Sequence, residues 1–69
     1  MLHSDIYKIF KEYFPAYHEK VDVWFQNGRN SIRIRYKNNS EHIFTFHDSN
    51  DWKLETVKSF ISGLKGGKK

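Results

Sequence analysis

The sequence predicts an α+β domain of two layers, α-β-β-β-α, in which a three-stranded antiparallel meander carries two helices on one face. Three observations lead there. An apolar set at spacings of three and four opens the chain, three segments of period two follow between Asn, Gly and Ser turn signals, and a second helical stripe closes it.

Ser4 and Asp5 suit a helix start, and Ile6, Ile9, Phe10, Tyr13 and Phe14 then recur at helical spacing. Pro15 disfavours helical geometry at Phe14 and predicts the end of that helix there. From Lys20 the period becomes two. Val21, Val23 and Phe25 alternate with Asp22, Trp24 and Gln26, and Asn27-Gly28 offers the positive φ angles of a tight hairpin turn. An even loop there sets Val23 on the face of Ile32. The second strand runs from Asn30 or Ser31 to Lys37, and an odd loop, Asn38-Asn39-Ser40, brings Phe44 and Phe46 beside Ile34 and Ile32 with Glu41 opposite Lys37. The third strand spans Glu41 to His47. The expected inner face is therefore Val21, Val23, Phe25, Ile32, Ile34, Tyr36, Phe44 and Phe46. Asp48-Ser49-Asn50-Asp51 supplies capping oxygens, and Leu54, Val57, Phe60, Ile61 and Leu64 follow at helical spacing before Gly66-Gly67. Asp48, Asp51 and Glu55 would then sit at the positive end of the second helix. One domain over residues 1–64 and a basic, flexible tail over residues 65–69 complete the expectation.

Sixty-nine residues allow a thin core, and with no cysteine neither a disulfide nor a zinc site of Cys/His spacing is there to staple it. Aromatics, at 17%, must supply most of the buried area. No apolar run reaches membrane-spanning length and MLHSDIYK lacks a signal-peptide core, so the expectation is a cytoplasmic protein. Of the 12 basic residues three lie in the tail, which leaves 9 against 8 acids in residues 1–64. Charge is concentrated instead between residues 29 and 37, where Arg29, Arg33, Arg35 and Lys37 stand with no acid.

The face turned from the helices would show Asp22, Trp24, Gln26, Arg33, Arg35, Lys37, Ile43, Thr45 and His47. Trp24 beside arginines suits stacking on a base or on a partner's side chain, while the guanidinium forks suit phosphates or carboxylates. The plainer reading is a wet sheet surface in which Trp24 and Ile43 pack under the stems of Arg33 and Arg35. The four histidines do not converge, so no metal and no cofactor is expected. Nor is there a nucleophile elbow, a catalytic carboxylate pair or a phosphate-cradling glycine loop, and the chain is not expected to be an enzyme.

In element order and length the chain resembles the double-stranded-RNA-binding domain, which recognises RNA through shape and phosphates. More locally, SIRIRYKNNSEHIFTF followed by VKSFISGLKGG resembles the central hairpin and following helix of a small phage-encoded anti-CRISPR protein family that inhibits a type II effector nuclease. This resemblance covers roughly residues 31 to 67. It implies a helix, three strands and a helix, and mimicry of DNA in the arginine pocket that reads the protospacer-adjacent motif. It assigns that contact to Asn38, Asn39 and Glu41 at the turn and to Asp48 and Asp51 after the third strand.

The leading expectation is a non-enzymatic inhibitor of phage or mobile-element type that occludes a bacterial nucleic-acid-handling complex, such as a CRISPR effector nuclease. Trp24, Arg33, Arg35, Lys37, Asn38, Asn39, Glu41, Asp48 and Asp51 are its candidate contacts. The alternative is direct nucleic-acid binding by Arg33, Arg35 and Lys37 on phosphates with Trp24 stacking. A third reading is a homodimer through the sheet face.

Overall fold

The computed structural model describes residues 2–57 of the chain. Its elements are α1 (His3–Tyr13), α2 (Pro15–His18), β1 (Val21–Gln26), β2 (Ser31–Tyr36), β3 (Glu41–Asp48) and β4 (Asp51–Thr56). The strands form one antiparallel sheet in the order β1-β2-β3-β4. The α+β class and the meander are as expected, but the sheet has four strands where three were expected.

The helical periodicity of the first segment buries Ile6 and Phe10 completely, and α1 packs on β2 and β3. Ser4 is not its cap. Leu2 holds the N-cap position without a side-chain bond, and its carbonyl accepts from Asp5 and Ile6 N–H. Pro15 does stop α1. Its fixed φ then opens α2 at the first helical position, where the missing N–H costs nothing.

The fourth strand replaces the beginning of the expected second helix. Trp52 and Leu54 face the core opposite Phe46 and Phe44, while Lys53 and Glu55 pair with Thr45 and Ile43 on the other side. This alternation competes with the three-residue spacing of Leu54 and Val57, and pairing to β3 satisfies the backbone groups of the segment that face β3, as well as those β3 would otherwise leave open. Asp48-Ser49-Asn50-Asp51 consequently caps nothing. Asp48 faces Asp51 across a two-residue turn, and the Asn50 N–H donates to Asp48 Oδ1 at 2.7 Å. The helix expected through Phe60, Ile61 and Leu64 and the tail 65–69 lie outside the described residues.

Both earlier turns differ from expectation in register. Asn27 N–H donates to the Ser31 carbonyl, which leaves Gly28-Arg29-Asn30 as an odd loop with φ of 80° at Gly28 and 62° at Asn30. The odd count inverts the phase of β1: Trp24 falls opposite Ile34 and points into the core, and Val23 and Phe25 pair with Arg35 and Arg33. A bulge between Val21 and Val23 then returns Val21 to the core side, opposite Tyr36. The next loop is odd, as expected, but it consists of Lys37-Asn38-Asn39, with Tyr36 N–H donating to the Ser40 carbonyl. Glu41 is thereby set opposite Arg35 instead of Lys37.

The core comprises Ile6, Phe10, Ile32, Ile34, Tyr36, Phe44 and Phe46, with Tyr7, Trp24 and Leu54 packed against it. Trp24 stacks on Tyr7 at 5.1 Å between centroids and 15° between planes. At the other edge Tyr13, Phe14 and Trp52 extend the aromatic contacts over β4. Among the described residues no helix is long and apolar enough to cross a membrane.

Candidate partner-binding face

Neither described helix covers the opposite face of the sheet, and two rows of side chains cross it. One row runs Phe25, Arg33, Ile43, Glu55, and the next runs Val23, Arg35, Glu41. Period two on the strands places them together, and the phase inversion in β1 contributes the two exposed apolar members, Val23 and Phe25. Phe25 is 43% exposed and Val23 39%. Ile43, between Arg33 and Glu55, is only 2% exposed.

Glu41 organises the arginines. Its Oε1 accepts from Arg33 Nε at 2.9 Å and Nη2 at 2.6 Å, and its Oε2 accepts from Arg35 Nε at 2.9 Å. The side-on fork of Arg33 on one oxygen and the single bond of Arg35 on the other engage the whole carboxylate. Hydrogen bonds from Arg35 and Arg33, reinforced by their charge against some opposing burial, hold the Glu41 carboxyl below the ordinary glutamate range. The Arg35 guanidinium also lies 5.5 Å from the centroid of the Phe25 ring. The trio carries one net positive charge. Both guanidinium side chains remain 43% exposed while Glu41 is 14% exposed, so solvent meets arginine first.

Among the expected contacts, Arg33, Arg35 and Glu41 are thus brought together. Trp24 is not: it is turned to the helix side, so a stacking platform of Trp24 beside the arginines does not form. Lys37, Asn38 and Asn39 are exposed in the loop beyond the arginine row, where Asn38 Oδ1 accepts from Ser40 N–H and Oγ–H. Asp48 and Asp51 lie at the far end of β3 from Glu41, a separation of about 24 Å at ordinary strand rise. They do not join Asn38, Asn39 and Glu41 in one acidic cluster, and Glu55 sits away from them on the arginine-bearing face. Among the described residues no group of three or more His, Cys, Asp or Glu is placed to hold a metal ion.

Val23 and Phe25 escape a reading of the strand alone, because VDVWFQ carries apolar side chains on both parities. Only the loop length decides between them. The GRN stretch after Asn27, with Gly28 and Asn30 both able to adopt positive φ, is the signal for the odd loop. No family model matches the chain, and no curated protein and no solved structure matches it.

Proposed function

We propose that this chain is a non-enzymatic binding protein that docks on a protein partner through Val23, Phe25 and the Arg33–Glu41–Arg35 trio. The occluded target is a bacterial nucleic-acid-handling complex, a type II effector nuclease being the one that the sequence resemblance suggests. One observation carries the choice of a protein surface: two large apolar side chains stand exposed beside arginines whose charge is already half engaged by Glu41. Apolar anchors flanked by arginine are what protein interfaces select, and a phosphate backbone has no use for Val23 or Phe25.

DNA mimicry through one acidic patch fits less well, given the separation of Asp48 and Asp51 from Glu41. Occlusion through the arginine face needs no such patch. The experiment is titration of the purified chain into a guide-loaded type II nuclease, reading target cleavage. Loss of cleavage at near-equal stoichiometry supports the proposal, and undiminished cleavage at tenfold excess rejects that target.

Direct nucleic-acid binding has one observation in its favour, the 43% exposure of both guanidinium side chains on a strand flanked by exposed Arg29 and Lys37. It predicts retention of plain RNA or DNA at low salt with steep weakening as salt rises, and absence of a mobility shift at low salt rejects it.

A further inference from the structure

Where α2 meets the start of β1, a cleft of about 140 Å³ opens between Tyr17, Lys20, Tyr36, Asn38, Ser40 and His42. It belongs to the helix side of the sheet and is separate from the arginine face. Its walls are tied together. Lys37 N–H donates to the Lys20 carbonyl at 2.9 Å, and Asn39 N–H donates to the Tyr36 carbonyl at 2.9 Å. Tyr17, Tyr36 and His42 pack with centroids 5.3 to 5.9 Å apart.

The polar inventory of this cleft is one-sided. Asn38 Oδ1 is occupied by Ser40 N–H at 3.0 Å and Oγ–H at 2.6 Å, which leaves the Asn38 amide hydrogens as unspent donors. Tyr36 Oη and His42 Nδ1 share one hydrogen bond of 2.8 Å. If the phenol donates, His42 keeps a free Nε2–H; if the ring donates, Tyr36 keeps a free O–H. Either way the pair retains one donor. Burial raises the Tyr36 phenol, with Tyr17 and Tyr7 adding to it, and lowers the His42 imidazole, so the pair stays neutral near pH 7. Lys20 and the Tyr17 hydroxyl add a cation and another donor. No lining residue is acidic, and the neighbouring Glu41 carboxylate is engaged by arginines on the other face.

We propose that this cleft binds a phosphate-class oxyanion, with Lys20 supplying the charge and Asn38, Tyr17 and the Tyr36–His42 pair supplying the directed hydrogen bonds. The volume is ample for a phosphate or phosphomonoester group. A free phosphate and the terminal phosphate of a nucleic acid present the same chemistry to it.

The test is an NMR titration of the full chain with inorganic phosphate at constant ionic strength. The Asn38 side-chain amide, the Ser40 amide and the His42 ring are followed. Saturable shifts at these three groups, with half-saturation in the millimolar range, are expected. Lys20→Gln, at an exposed position, should weaken binding about tenfold or more, and Tyr17→Phe should weaken it less. A 5′-phosphorylated dinucleotide and its unphosphorylated counterpart distinguish the source. Tighter binding of the phosphorylated form than of inorganic phosphate identifies a nucleic-acid end, and equal or weaker binding identifies free phosphate. Shifts that do not saturate, or that persist unchanged in folded Lys20→Gln, overturn the proposal. Because the cleft lies on the helix side of the sheet and Lys20 makes no contact with Arg33, Arg35 or Glu41, the Lys20→Gln result is read separately from docking through the arginine face.

Discussion

The inverted phase of β1 makes Trp24 a core residue and Phe25 a surface one, and this can be measured as a stability difference. Truncating a fully buried large aromatic costs about 3–5 kcal/mol. Trp24 is half-buried on an edge strand, but it carries the stack on Tyr7, worth about 0.5–1.5 kcal/mol by itself. Trp24→Ala should therefore cost about 2–3 kcal/mol. Phe25, 43% exposed, loses partial burial and its contact with the Arg35 guanidinium, so Phe25→Ala should cost about 0.5–1 kcal/mol. Urea unfolding followed by circular dichroism reads the difference. With a slope of about 1 kcal/mol/M, the two midpoints should lie about 2 M apart. A single core in so small a chain contributes only about 3–5 kcal/mol, so Trp24→Ala leaves little margin, and Trp24→Phe provides a milder form of the same comparison. Equal costs for the two positions, or a larger one for Phe25, would refute the inverted register.

Replacing Glu41 by Gln leaves both arginines without their shared anion, and with the guanidiniums exposed to solvent the expected loss is about 1 kcal/mol, or 4–8 °C in Tm. The Glu41 carboxyl is lowered in the folded state, so its stabilisation is present above the unfolded value near pH 4.3. It is lost as pH falls through the folded value, and the wild type should lose its advantage over Glu41→Gln as the pH is taken below about 4. His42 is lowered by burial, so its ring should titrate below the ordinary value of about 6.5 by NMR; a titration at or above that value contradicts its burial beside Tyr36. Gly28→Ala places a Cβ in open space at a φ of 80°, so only backbone strain of about 1–2 kcal/mol is expected in thermal melts, and an unchanged Tm would speak against the three-residue loop.

The helical stripe Ile6, Phe10 and the alternation Ile32, Ile34, Tyr36 were legible in the sequence because each obeys one period without competition. Pro15 was legible for the same kind of reason, since its ring fixes φ wherever it stands. The misplaced parts lie where two periods or two loop lengths were compatible with the same residues. VDVWFQ is apolar on both faces, so its phase is set by the loop, and one residue there moves Trp24 off the arginine-bearing face and Val23 and Phe25 onto it. Leu54 and Val57 satisfied a helix as readily as Trp52 and Leu54 satisfied a strand, and the choice was made by an open edge on β3 that only the assembled sheet provides. The shift that joined Glu41 to Arg35 and Arg33 was likewise a matter of two residues of register. Trp24, Arg33 and Arg35 stand out in the sequence, but what each contacts depends on those non-local choices.

The central claim, that the sheet face bearing Phe25 and the arginine trio is the docking surface, is tested most directly by Phe25→Asp in the nuclease titration. At 43% exposure the substitution should leave the far-UV spectrum and the cooperativity of unfolding unchanged. The account predicts inhibition at near-equal stoichiometry by the wild type and its loss, by at least about tenfold in apparent affinity, in folded Phe25→Asp. Full inhibition by that variant would contradict it.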